Sequence, residues 1–158
     1  NGHGTHCAGI ACGNVRNDTG KRYGIAKDSN LKIGKVLSNN GKGTTSSIID
    51  AIDWAITKKF RIISLSLASP VKLNEKPSVL FETVGIRALD SNCLIIAAAG
   101  NDSKRPALPV PVSAPANSLS IMAVQPLIIR CGLPGSLTPG SMRLPEAMSM
   151  FVRQEWMC

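Results

Sequence analysis

Apolar residues recur along this chain with two different periods. Ile48, Ile49, Ala51, Ile52, Ala55 and Ile56 fall at helical spacing and share one face of a helix. Thr44 or Thr45 stands just before that run, and either can cap it. A second helix is predicted to open at Pro77 and Ser78 and to close at Asp90-Ser91-Asn92, with Val79, Leu80, Val84, Ile86 and Leu89 as its apolar positions. Shorter apolar runs predict strands at Leu31 to Leu37, Ile62 to Leu67, Leu94 to Ala99 and Ser120 to Val124. The unbroken run from Leu94 carries the mark of a strand buried on both faces. Gly4 to Ala11 predicts a short helix of small residues that Gly13-Asn14 ends. Residues 14–30 then form a turn-rich loop tipped by Asn17-Asp18-Thr19-Gly20. Strands alternating with helices define an α/β layer fold around a parallel sheet.

That pattern holds over residues 1–124 and stops there. Residues 125–158 contain four of the five Met, four Pro and two Cys, with no sustained period of either kind. They read as an irregular tail and not as a continuation of the fold.

Length and composition narrow the classes. At 158 residues and 44% hydrophobic content the chain can build one real core. No apolar stretch reaches the roughly 18 to 20 residues of a membrane span, so no membrane partner is expected. The net charge of +8 comes from scattered Lys and Arg, with only doublets such as Lys21-Arg22 and Lys58-Lys59, and aromatics make up 4% of the chain. That distribution does not predict a nucleic-acid surface. There is no Walker run and no GxGxxG after a strand, which argues against nucleotide binding. The five cysteines show no CxxC and no metal-ligand spacing, so the redox compartment stays open.

Four segments carry chemistry. Asn1-Gly2-His3-Gly4-Thr5-His6-Cys7-Ala8-Gly9 sets a histidine among small residues that leave room for close approach. Leu94 to Asn101 is a buried-type strand ending in Gly100-Asn101, which can put a side-chain amide at the rim of a cleft. Ile62 to Ala68 and the stretch Lys35-Val36-Leu37 with Gly41-Lys42-Gly43 flank them in chain order. Together, in the order they occur, they resemble the histidine, groove, pocket-strand and oxyanion segments of the subtilisin-like serine protease (subtilase) family.

The resemblance implies a parallel-sheet, three-layer subtilisin-like fold, incomplete at its C-terminal part. It also implies a serine endopeptidase that acts on peptide or protein substrates through an acyl-enzyme. Under it His3 is the general base and then acid, and Asn101 donates to the oxyanion. Ser66, Leu67 and Ala68 would offer groove backbone to an extended substrate, with Gly43 and Thr45 on the opposite rim. Family members usually carry Gly where this chain has Ala68, which bears on pocket depth. Cys7 resembles the thiol-bearing branch of the family, where a mercurial would crowd His3. No cofactor is required for the chemistry. Calcium is common in the family and would fall on the loop with Asn14, Asn17 and Asp18, and an extracellular location is favoured by the same resemblance.

The family's Asp motif belongs upstream of Asn1, and no Gly-Thr-Ser-Met-Ala-x-Pro run occurs anywhere in the chain. Gly140-Ser141-Met142 is the nearest approach, and it lacks the Thr and the following Ala-x-Pro. The expectation is therefore an internal fragment that is inactive alone, with a truncated, non-catalytic peptide-binding remnant as the alternative. The tail itself is read as a frame-shifted translation. Shifting Ala147 to Cys158 by two bases allows a run containing Ala-Pro-Gly, a turn that the family carries after its Asn segment.

Overall fold

A computed structural model describes residues 2–103 and 110–125, and the backbone of 150–153. In chain order the elements are helix α1 (His3–Cys12), strand β1 (Asn30–Lys32), helix α2 (Thr45–Thr57), strand β2 (Ile62–Leu65), helix α3 (Val79–Asp90), and strands β3 (Leu94–Ala98), β4 (Met122–Val124) and β5 (Met150–Arg153). They form one five-stranded sheet in the order β1-β5-β2-β3-β4. Strands β2, β3 and β4 run parallel, with Ile62 opposite Leu94 and Ile96 opposite Met122.

Helix α2 forms where its period predicted. Thr44 is the cap: its Oγ1 accepts from Ser47 N at 3.1 Å, and Ser47 Oγ accepts from Thr44 N at 3.3 Å. This reciprocal pair satisfies two donors of the first turn. Ile48, Ile52 and Ala55 turn inward, and on α3 the inward residues are Phe81, Val84, Gly85 and Ala88. These residues cluster with Ile63, Leu65, Ile95 and Ala97 of the sheet. Of the five apolar positions predicted for α3 only Val84 reaches this core; Val79, Leu80, Ile86 and Leu89 are exposed. Gly85 and Ala88 explain the choice, because small residues let the helix lie close to the sheet.

Three expectations are corrected. The first concerns β3, whose residues alternate between buried (Ile95, Ala97) and half-buried (Leu94, Ile96, Ala98), so only one face is dry. Helices α2 and α3 cover that face. Second, the strand at 31–37 shrinks to Asn30–Lys32. Further along, the Val36 carbonyl accepts from Ser47 Oγ of helix α2 at 3.4 Å. Third, the strand predicted to begin at Ser120 begins at Met122, because Ser118–Ile121 close a turn through Ile121 N and Ser118 O at 3.3 Å.

Within the tail, read from sequence as irregular, one element is described. Met150–Arg153 form a strand lying antiparallel between β1 and β2, with Leu31 and Ile62 both opposite Val152. Phe151 and Val152 suit a pleated strand, and β5 has a ladder neighbour on each side, while β1 stays at the edge of the sheet. The remaining tail residues lie outside those described, and the structure does not bear on the frame-shift reading.

Candidate active site

Strands β2 and β3 are parallel, so their carboxyl ends share one edge of the sheet. In an open α/β sheet that edge is where ligands gather. Most of the residues singled out from sequence come to it. Ser66 follows the last residue of β2. Asn101 follows β3 by three residues. Helix α2 returns the chain between two parallel strands, which puts its N-terminus, with Gly43 and Thr45, toward the same edge.

His3 is held from two sides. Gly2, at φ 83°, turns the chain into α1, and the Gly2 carbonyl accepts from His6 N at 2.9 Å. The ring is 5% exposed and meets the end of β2. Its Nε2 lies 3.1 Å from Ser66 Oγ and 3.3 Å from Ser66 O. One turn along α1, Cys7 Sγ is 3.6 Å from the same nitrogen, the position that the thiol-branch resemblance implied. His6, by contrast, is exposed.

The Ser66 hydroxyl was not foreseen as a partner of His3, since the sequence reading used only its backbone. The signal was present. Alternation along Ile62-Ile63-Ser64-Leu65-Ser66 buries Ile63 and Leu65 against the helices and turns Ser64 and Ser66 to the other face. After Ser66, Leu67 is half-buried and Ala68 exposed, and Ser69 then pairs with Ala114 in an antiparallel bridge.

Asn101 is exposed, and Gly100 before it takes φ 109°. A β-carbon on Gly100 would lie 2.7 Å from Ser113 Oγ, so both the backbone conformation and the close approach demand glycine. Ser113 N donates to Ala99 O at 2.9 Å, and a shallow recess runs from Gly100 and Asp102 to Val110 and Ser113. Gly43 is glycine for packing reasons: a β-carbon there would meet Leu37 Cδ2 at 2.4 Å and Val36 O at 2.6 Å. Thr45 is exposed in the first turn of α2.

Two residues of the calcium expectation, Asn14 and Asp18, accept hydrogen bonds from the chain's own donors. Asp18 pairs with the Arg16 guanidinium, which holds its carboxyl below the usual range, and Asn14 Oδ1 accepts from Val15 N at 2.8 Å. An ion at Asp18 would have to displace the exposed Arg16 guanidinium, and no step is routed through it. Among the described residues no three His, Cys, Asp or Glu side chains cluster as metal ligands, and no helix is long and apolar enough to cross a membrane.

Comparison with known proteins gives the family. The sequence model of the subtilase family (Peptidase_S8) matches residues 1–130. The chain belongs to the subtilase family. It is 37% identical over 117 residues to subtilisin-like protease 3 of Arthroderma benhamiae, which covers 73% of this chain and 28% of that protein. It is 36% identical over 124 residues to the minor extracellular protease Epr of Bacillus subtilis, covering 78% of this chain and 18% of that one. Among solved structures, Sphericase superposes with a TM-score of 0.65 at 32% identity, over 78% of this chain and 39% of the other. The chain thus spans less than a third of the length of these two relatives, and it has the fold of an incomplete subtilisin-like domain.

Proposed function

We propose that this chain is the base-and-groove portion of a serine endopeptidase that cleaves peptide or protein substrates. His3 takes the proton from the nucleophile and returns it to the leaving amine. Asn101 donates to the oxyanion, and Ser66 to Ala68 pair with extended substrate, with Gly43 and Thr45 across the groove. The serine and the orienting aspartate of the family triad belong to the complete protein, and the chain alone does not hydrolyse peptides. An extracellular site of action accords with the name of the Bacillus subtilis relative.

The observation that carries this reading is the family match over residues 1–130 together with a buried histidine docked at the carboxyl edge of the sheet that Asn101 shares. The test is casein hydrolysis by the complete protein expressed from its gene. His3→Ala is expected to lower kcat by roughly 10⁴- to 10⁶-fold, and Asn101→Ala by about 10²- to 10³-fold with little change in KM. Losses of this size are those seen in subtilisin. A His3→Ala protein that cleaves casein at the parent rate would overturn the assignment.

One observation favours the second reading, a non-catalytic remnant that binds peptides. The family match ends at residue 130, yet Met150–Arg153 pair antiparallel inside the sheet. A complete gene product that ends at Cys158 and binds an extended peptide without cleaving it would select this alternative.

A further inference from the structure

We propose that Ser66 is an acyl acceptor in this chain: its hydroxyl, at 3.1 Å from His3 Nε2, takes the acyl group of a small activated ester with His3 as the base. The inference rests on the reading of His3 as a base, and it assigns Ser66 a chemistry that the groove role does not include.

The contact is specific. His3 and Ser66 are 63 residues apart and belong to different elements, so only the tertiary fold joins them. The strand alternation that buries Leu65 turns the Ser66 side chain to the face where His3 waits. The ring is buried and fixed in the first turn of α1, while Ser66 is half-buried and can be reached. Cys7 competes for the same nitrogen at 3.6 Å. Its position, however, follows from four-residue spacing on one helix, which brings any such pair together.

A serine hydroxyl is a weak nucleophile until a base within hydrogen-bond reach takes its proton. When Nε2 is the unprotonated nitrogen it accepts the Ser66 O–H. With p-nitrophenyl acetate, Ser66 Oγ bonds to the carbonyl carbon as its proton passes to Nε2. The carbon–oxygen bond to the nitrophenolate breaks, and the phenolate leaves with the electron pair. The proton then goes from the imidazolium to water, leaving acetyl-Ser66. An aryl ester suits the site because its leaving group departs without needing a proton.

The experiment incubates the purified full chain with p-nitrophenyl acetate and maps the acetyl group by tandem mass spectrometry. One acetyl group on Ser66 is expected. His3→Asn should slow labelling of Ser66 by about 10²-fold or more, the usual worth of a general base. Ser64→Ala, one pleat away, should leave it unchanged. An acetyl group on Cys7, on lysines alone, or on Ser66 at the same rate in His3→Asn would overturn the proposal. So would an unlabelled Ser66 in the folded parent chain, a result that needs no variant to fold. The two readings fail separately. Loss of casein hydrolysis in His3→Ala with Ser66 unlabelled removes this inference and leaves the endopeptidase assignment standing.

Discussion

Replacing Gly85 by Ala sets two physical effects against each other. Gly85 lies in the middle of α3, where exchanging Gly for Ala ordinarily stabilises a helix by about 1 kcal/mol. Here an added β-carbon would stand 2.1 Å from Ser120 Oγ, 3.0 Å from Ser120 Cβ and 3.2 Å from Ile121 Cγ1. Ser120 cannot simply turn aside, because its Oγ donates to the Glu82 carbonyl at 3.3 Å. Losing that bond costs about 1 kcal/mol, and forcing a methyl group into a filled core costs roughly 1 to 3 kcal/mol. Set against the propensity gain, the net effect is a loss of about 1 to 3 kcal/mol.

Urea unfolding followed by circular dichroism measures this loss, expected as a midpoint about 1 M lower at an unchanged slope. Adding Ser120→Ala removes the closest contact and should restore part of the stability, a coupling of roughly 0.5 to 3 kcal/mol. A Gly85→Ala protein more stable than the parent, or two substitutions whose effects simply add, would refute the packing argument.

Three further outcomes are expected. Gly100→Ala should destabilise by roughly 1 to 3 kcal/mol in the same urea assay, since it combines a positive φ with the approach to Ser113, whereas Gly20→Ala, in open space, should cost less. Thr44→Ala removes the Oγ1 half of the capping pair, while the backbone N–H at 44 can still donate to Ser47 Oγ, and should cost about 1 kcal/mol, with Thr45→Ala near neutral; equal losses would move the cap. Burial pushes the Cys93 thiol up to about 11 from 9.0. The folded form therefore keeps its proton while the unfolded form ionises, so this contribution is intact below pH 9 and is lost as pH rises toward 11. The loss is about 2 kcal/mol by linkage. Urea stability measured from pH 8 to 11 should fall more steeply in the parent than in Cys93→Ala, and parallel curves would contradict the assignment.

Read alone, the sequence was enough for the class of fold and for the family. A thirteen-residue helix with a threonine cap and one apolar face is a local matter, and α2 formed as its period required. Small residues around His3 and the Gly-Asn that follows a long apolar run are likewise readable, because chemistry constrains them where they stand. Tertiary structure decided which apolar face was used. Helix α3 carries apolar residues on two sides, and only contact with the sheet selected Phe81, Val84 and Ala88 over Val79, Leu80 and Ile86.

Strand lengths were decided in the same way. A strand lasts only as long as a neighbour pairs with it, so the strand expected over 31–37 stops at Lys32 and Met150–Arg153 entered the ladder beside two strands far away in sequence. The meeting of His3 with the Ser66 hydroxyl belongs to this second kind. Periodicity can turn a side chain to one face of a sheet, and only packing sets what waits on the other side.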